Sequence, residues 1–328
     1  MPKKLNFKIL ILLLFPLLLL SPTGCETAEE VEDVEEETVT ETETAEPDAE
    51  EAEEDFNWED WQPAERETHT NILILGLDNH GFSDAIMIFS YHNETFASSI
   101  IALMRDTYVE EQNWAPDLAG VSQITSAHYH ALGEDENYCR AAIYTLQWVE
   151  HLLGIDLHGY ASTTFEGFSS LVDQLGGVAV YVNPGFAERD QNPLPTGTQT
   201  LDGEQALSYV RHRSSPRIPE PGSSSEDGDR VRRNMRFLQA ILEQCHELSE
   251  EELNNIYDQL EESIHTSLDD WDLMILANIY YHTDPSETMM MVLPGEPTEL
   301  EENGESTYYF MLDEQRTAEI LAGMGLRR

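Results

Sequence analysis

Asn71-Ile72-Leu73-Ile74-Leu75-Gly76-Leu77-Asp78 is the stretch on which the fold turns. Isoleucine and leucine follow one another almost without polar interruption and stop at Gly76, the pattern of a short strand buried on both faces. Two similar runs lie close downstream, Ala85-Ile86-Met87-Ile88-Phe89-Ser90-Tyr91 and Ser98 to Met104. A sheet that is apolar on both faces needs helices on both, so the fold class is α/β.

Beyond these strands the helical period takes over. Tyr138 to Leu153 is amphipathic and ends at Gly154, and Phe165, Phe168, Val172 and Leu175 recur at helical spacing before Gly176-Gly177. Val178 to Val182 reads as a strand, Asp202 to Tyr209 as a short helix and Asp229 to Leu248 as a long one. Further helices are expected at Glu250–Ser263, Asp270–Tyr281 and Glu314–Leu321, with strands at Thr288–Leu293 and Tyr308–Leu312. No internal repeat is visible, and the mixture describes one domain over 70–328.

Upstream the composition changes. The 328 residues carry a formal net charge of −47, of which Glu26 to Asp60 supplies 19 acidic residues and no Lys or Arg. Residues 26–69 therefore read as an acidic, disordered tether. With Lys3, Lys4 and Lys8 adding +3 at the start, −31 remains for the rest of the chain. Such a chain has no basic footprint for a nucleic acid, which excludes that partner. Residues 1–25 read as an export signal: three lysines, an apolar run from Ile9 to Leu20, then Ser21-Pro22-Thr23-Gly24-Cys25. Twelve apolar residues are too few to span a bilayer, which needs about 20. The ending resembles a lipoprotein cleavage box, with Pro22 where Leu is usual, and makes Cys25 the candidate lipid anchor. An ordinary cleaved signal or an uncleaved anchor are the alternatives, and all three place the chain outside the cytoplasm. Cys139 and Cys245 are the other cysteines, either a disulfide or two small buried hydrophobes.

Chemistry concentrates at strand ends. Asp78 and Asp84 lie six residues apart across a Gly-containing turn and could share a hard divalent cation such as Mg²⁺, or could simply satisfy turn backbone. Arg105-Asp106 follows the third strand, either a site or an ordinary ion pair. Arg211, Arg213, Arg217, Arg230, Arg232, Arg233 and Arg236 gather seven of the 17 basic residues into 26 positions. That density repels itself unless an anion offsets it, and guanidinium groups suit a pyrophosphate. Arg230 and Arg233 are three apart, sharing a helix face near its N-terminus. Balancing nearby acids such as Glu220 and Glu226 is the plainer alternative. Histidines such as His128, His130 and His151 show no zinc spacing and read as surface or packing residues. With no nucleophile elbow, Walker loop or dinucleotide fingerprint, the arrangement fits direct transfer between two bound substrates.

These segments, together with Leu152-Leu153-Gly154-Ile155, Phe165 through Gly177, Leu201 through Arg213, Asp227 to Asn234 and Leu293-Pro294-Gly295, resemble the LytR-CpsA-Psr family in order and spacing from about residue 70 to 325. The resemblance implies an α/β/α sandwich with a central mixed sheet and an apolar polyprenyl pocket. It implies transfer of a glycan-phosphate from a polyprenyl pyrophosphate carrier to a peptidoglycan sugar hydroxyl. By position, Asp78 and Asp84 match Mg²⁺-binding carboxylates, and Arg105, Arg211, Arg213 and Arg230 match pyrophosphate-binding arginines. Asp227 matches a carboxylate that helps deprotonate the acceptor, while Asp106 and Arg233 match supporting charged positions. The implied partners are the lipid-linked glycan donor, the peptidoglycan acceptor and the membrane to which the N-terminus is tethered. Phe82 and Gln123 stand where the family has Arg and Lys, and the turn from Asp78 to Asp84 is short. Those two positions favour the alternative of a non-catalytic binder of lipid-linked glycans. A DNA-reading regulator is disfavoured by the export signal, the acidity and the lack of a recognition helix.

Overall fold

The computed structural model describes residues 58–66, 68–110, 121–183, 194–212, 226–260, 263–268, 285–302 and 305–327. At its centre lies a mixed sheet of six strands. These are β1 (His69–Leu77), β2 (Ser83–His92), β3 (Ser98–Leu103), β4 (Tyr160–Thr164), β7 (Ile264–Thr266) and β8 (Met289–Val292), in the order β7-β4-β1-β2-β3-β8. β1 pairs antiparallel with β2 and parallel with β4, β2 antiparallel with β3, and β3 parallel with β8. β5 (Val178–Val182) with β6 (Gly197–Leu201), and β9 (Gly295–Glu302) with β10 (Glu305–Leu312), form two separate antiparallel ribbons.

The period of two along the central strands sends alternate side chains into two cores. Ile72, Ile74, Met87, Phe89, Ile100 and Ala102 face one, and Leu73, Leu75, Ile86, Ile88, Ile101 and Leu103 face the other. The first is covered by α3 (Phe165–Gln174), α4 (Gly203–Arg211), α5 (Glu226–His246) and α6 (Glu250–Leu260). The second is covered by α1 (Ile124–Leu132), α2 (Tyr138–Leu153) and α7 (Glu314–Gly323). The expected α/β/α layering follows from this division.

α2 has the expected bounds, stopped by Gly154 in the left-handed conformation at φ 63°. α4 starts with a capping box in which Asp202 and Gln205 bond each other's backbone. α5 begins three residues earlier than expected. The helix expected at Asp270–Tyr281 lies outside the described residues. The tether expected to run to residue 69 contributes its last part to the fold, because Trp58 and Trp61 pack against the second core. Cys139, half-buried on α2, and Cys245, in the first core, do not form a disulfide, and Cys245 packs as a small buried hydrophobe. Burial pushes the Cys245 thiol up to about 12. Among the described residues no helix is long and apolar enough to cross a membrane.

Candidate functional site

The C-terminal ends of β1, β3 and β4 open on one edge of the sheet, the edge at which α/β proteins gather ligands. There the β1–β2 ladder breaks register: Gly76 pairs with Ala85, but Leu77 pairs with Ser83. Asp84 is thus the extra residue of a β-bulge, a device that re-aims a side chain. Simple alternation would group Asp84 with Ile86 and Ile88 in the second core. The bulge instead leaves it beside Ala85 in the lining of a cavity on the first-core side.

Asp84 Oδ1 lies 2.5 Å from Arg105 Nη1 and 3.8 Å from Arg230 Nη1. Arg105 Nε in turn stands 3.3 Å from Asp106 Oδ1. The structure therefore joins Asp84, Arg105, Asp106 and Arg230 into one charged chain drawn from β2, the loop after β3, and α5. Asp78 serves the turn between β1 and β2: its Oδ1 accepts from the amides of His80 and Phe82, each at 2.9 Å. Asp78 thus takes the turn-capping role outside the lining of the cavity, and the Leu77–Ser83 pair sets it one residue beyond the bulge that carries Asp84. Among the described residues no three His, Cys, Asp or Glu side chains cluster as a full metal cage. Two carboxylates do suit Mg²⁺, which keeps waters and takes substrate phosphate oxygens for its other positions.

The cavity, about 840 Å³ including its open mouth, runs between the sheet and α3, α4 and α5. Ile74, Met87, Phe168, Leu171, Phe237 and Leu238 make its walls apolar. Asp84, Arg211 and Arg230 supply the charge in its lining. Arg230 is 4% exposed, whereas Arg211 is exposed and lays its guanidinium over Phe165, 4.3 Å from the ring centre.

Arg233, expected beside Arg230 on the same face, does not line the cavity. It is buried, and its guanidinium donates to the carbonyls of Tyr209, at 2.8 Å, and His212. It thereby caps the C-terminal end of α4, where a cation is favoured. Arg213 and Cys25 lie outside the described residues, and so does the side chain of Asp227, whose backbone stands in the first turn of α5. Phe82 stacks on Tyr129 with ring centres 4.3 Å apart, and Gln123 donates through Nε2 to the Tyr308 carbonyl at 2.8 Å. The sequence reading missed α1 altogether. This helix lacks a capping side chain, since Gln123 makes no cap bond. Its first amides bond the loop after β3 instead, Ile124 to Thr107 O and Thr125 to Arg105 O.

A match to the model of the LytR_cpsA_psr family extends over residues 31–324. The chain belongs to that family. Among curated LytR_cpsA_psr relatives, it is 28% identical over 254 residues to the polyisoprenyl-teichoic acid–peptidoglycan teichoic acid transferase TagU of Oceanobacillus iheyensis, spanning 75% of this chain and 72% of that one. It is 24% identical to the corresponding transferase TagV of Bacillus subtilis over 74% of this chain and 60% of the relative. The crystal structure of B. subtilis TagV superposes with a TM-score of 0.61 at 22% identity, covering 79% of this chain and 97% of the other. A structure of TagT bound to LIIa-WTA gives 0.58 at 24% identity, covering 83% and 92%. At these identities the solved structures show a shared fold.

Proposed function

We propose that this protein transfers a glycan-phosphate from a polyprenyl pyrophosphate carrier to a peptidoglycan sugar hydroxyl. The observation that carries the reading is one cavity with apolar walls and Asp84, Arg211 and Arg230 in its lining. It matches a ligand that is hydrocarbon at one end and pyrophosphate at the other. The related transferases, named for teichoic acid and peptidoglycan, support the same substrate classes.

In this reading the lipid tail lies along Phe168, Leu171, Phe237 and Leu238. Arg230 and Arg211 bond the pyrophosphate oxygens, and Arg105 is held toward them by Asp84 and Asp106. The acceptor hydroxyl oxygen attacks the phosphorus bearing the glycan, the bond from that phosphorus to the bridging oxygen breaks, and polyprenyl phosphate leaves. Asp227, by its place in the first turn of α5, takes the hydroxyl proton. Arg213, two residues after Arg211 in the sequence, supplies a further guanidinium for the pyrophosphate. Asp78 and Asp84 would hold Mg²⁺, which supplies charge neutralisation on the phosphate oxygens. The N-terminal segment delivers the domain outside the cytoplasm, with Cys25 as its lipid anchor. Mass spectrometry of the mature N-terminus tests that placement; an unmodified start elsewhere would remove the anchor.

Phe82 and Gln123 favour a second reading, in which the protein binds lipid-linked glycans without turnover. Both positions are committed to structural contacts, a ring stack and a carbonyl bond, where the family resemblance expects cations. A single-turnover assay with a pyrophosphate-linked donor and peptidoglycan oligomers separates the two. Appearance of glycan on the acceptor supports transfer, and donor binding without product supports the binder.

A further inference from the structure

Helix α1 carries no group assigned to the chemistry, yet it is bonded to both loops that bring Asp84 and Arg105 together. Thr125 contributes twice. Its amide donates to the Arg105 carbonyl at 3.0 Å, and its hydroxyl donates to the Ser83 carbonyl, also at 3.0 Å. One turn further, His128 is fully buried and its Nδ1 meets the Gly81 carbonyl at 2.9 Å, so that nitrogen carries the proton. Gly81 sits at φ 88°, a conformation that glycine adopts without strain, and an added Cβ there would meet Leu132 of the same helix at 2.7 Å. The inner face of α1 thus grips the β1–β2 turn at residues 81 and 83, while its first turn grips the loop after β3 at residues 105 and 107.

We propose that Thr125 and His128 are positioning residues, through which α1 fixes the separation of Asp84 and Arg105. The β2–β3 ladder runs only to the Ile86–Leu103 pair, two residues short of Asp84 and of Arg105, and beyond its end Thr125 of α1 bridges the two segments through the carbonyls of Ser83 and Arg105. An ion pair between partly exposed side chains is worth little unless both ends are held, and catalytic geometry tolerates errors of only about an ångström. The functional consequence rests on the transfer reading; the structural one does not.

The test is a double-mutant cycle between D84N and R105Q, read as unfolding midpoints in denaturant, in the wild-type, T125V and T125S backgrounds. T125V keeps the amide bond and the side-chain volume but loses the hydroxyl bond; T125S restores the hydroxyl. The coupling between Asp84 and Arg105 is expected in the wild type and T125S and lost in T125V, with donor transfer about tenfold slower in T125V alone. The same cycle distinguishes H128N, whose amide nitrogen can replace Nδ1, from H128L, which cannot. Equal coupling in T125V and the wild type would overturn the proposal whatever the transfer assay gives, as would an equal fall in T125V and T125S. A wild type that transfers nothing, with coupling that still depends on Thr125, would count against the activity and support the positioning role.

Discussion

At the scale of single residues, two arginines one helical turn apart have separate tasks. Arg230 lines the cavity at 3.8 Å from Asp84, and Arg233 is spent on the carbonyls that end α4. R230A should therefore weaken donor affinity or rate by about tenfold to a hundredfold, at roughly 1.5–3 kcal/mol for bonds to a charged group, and leave the melting temperature nearly unchanged. R233A should do the reverse, costing about 2–4 kcal/mol of stability by leaving carbonyls and a helix end without their cation. Denaturant unfolding beside donor calorimetry checks both, and a fall in affinity equal for the two would remove the distinction. Phe82 offers a gain instead of a loss. F82R would give up the ring stack on Tyr129, about 0.5–1.5 kcal/mol, and place a guanidinium next to Asp78. Donor binding should tighten by roughly threefold to tenfold, less than for a buried arginine because the position is partly exposed. Unchanged affinity would show that this edge of the turn does not face the pyrophosphate.

At the scale of elements, the walls of the cavity depend on how closely α3 and α4 approach. A Cβ at Gly203, the first residue of α4, would stand 2.2 Å from the Ser169 carbonyl oxygen and 2.9 Å from Asp173 Oδ2. G203A must push the helices apart, and a loss of about 1–3 kcal/mol is expected together with weaker binding of a lipid-tailed ligand. If affinity for a tail-free pyrophosphate falls equally, the helix spacing does not govern the hydrocarbon part. This level was well legible in the sequence wherever a residue announces a boundary: Gly154 ended α2, Gly176-Gly177 ended α3, and Val178–Val182 alternates as a strand should. It failed where the boundary is tertiary. α1 is capped by carbonyls of Arg105 and Thr107 rather than by its own side chains, and β7 is three residues long, paired to β4 from a hundred positions away. The site was legible as a list of residue types, because arginines are scarce in an acidic chain. Which arginine faces the cavity and which holds a helix end could not be read, since the difference is one of rotation and packing. The bulge that re-aims Asp84 is likewise a property of the pairing of two strands.

At the scale of the molecule, the response to acid should come from buried imidazoles. His158 is 4% exposed, accepts the Asn71 amide through Nδ1, and burial holds its pKa down at about 4, as it does for His128. An unfolded histidine titrates near 6.5. Between these values the unfolded chain binds the extra proton, so stability is full above about pH 6.5 and declines toward pH 4. The slope is about 1.4 kcal/mol per pH unit for each histidine. H158N keeps an acceptor at the Nδ1 position and should flatten the fall by one histidine's share. Parallel curves for H158N and the wild type would refute the assignment, and the comparison cancels the relief of carboxylate repulsion that both share. Finally, the extra residue at Asp84 ties the choice between the molecule's two cores to arithmetic along the chain. Removing Ser83 would let the ladder close regularly with Asp84 opposite Leu77, and swing the carboxylate toward the opposite helical layer. Between Gly76 and Ala85, then, single-codon deletions should be far more damaging than most single-codon exchanges, a sensitivity to reading length that a catalogue of substitutions would never reveal.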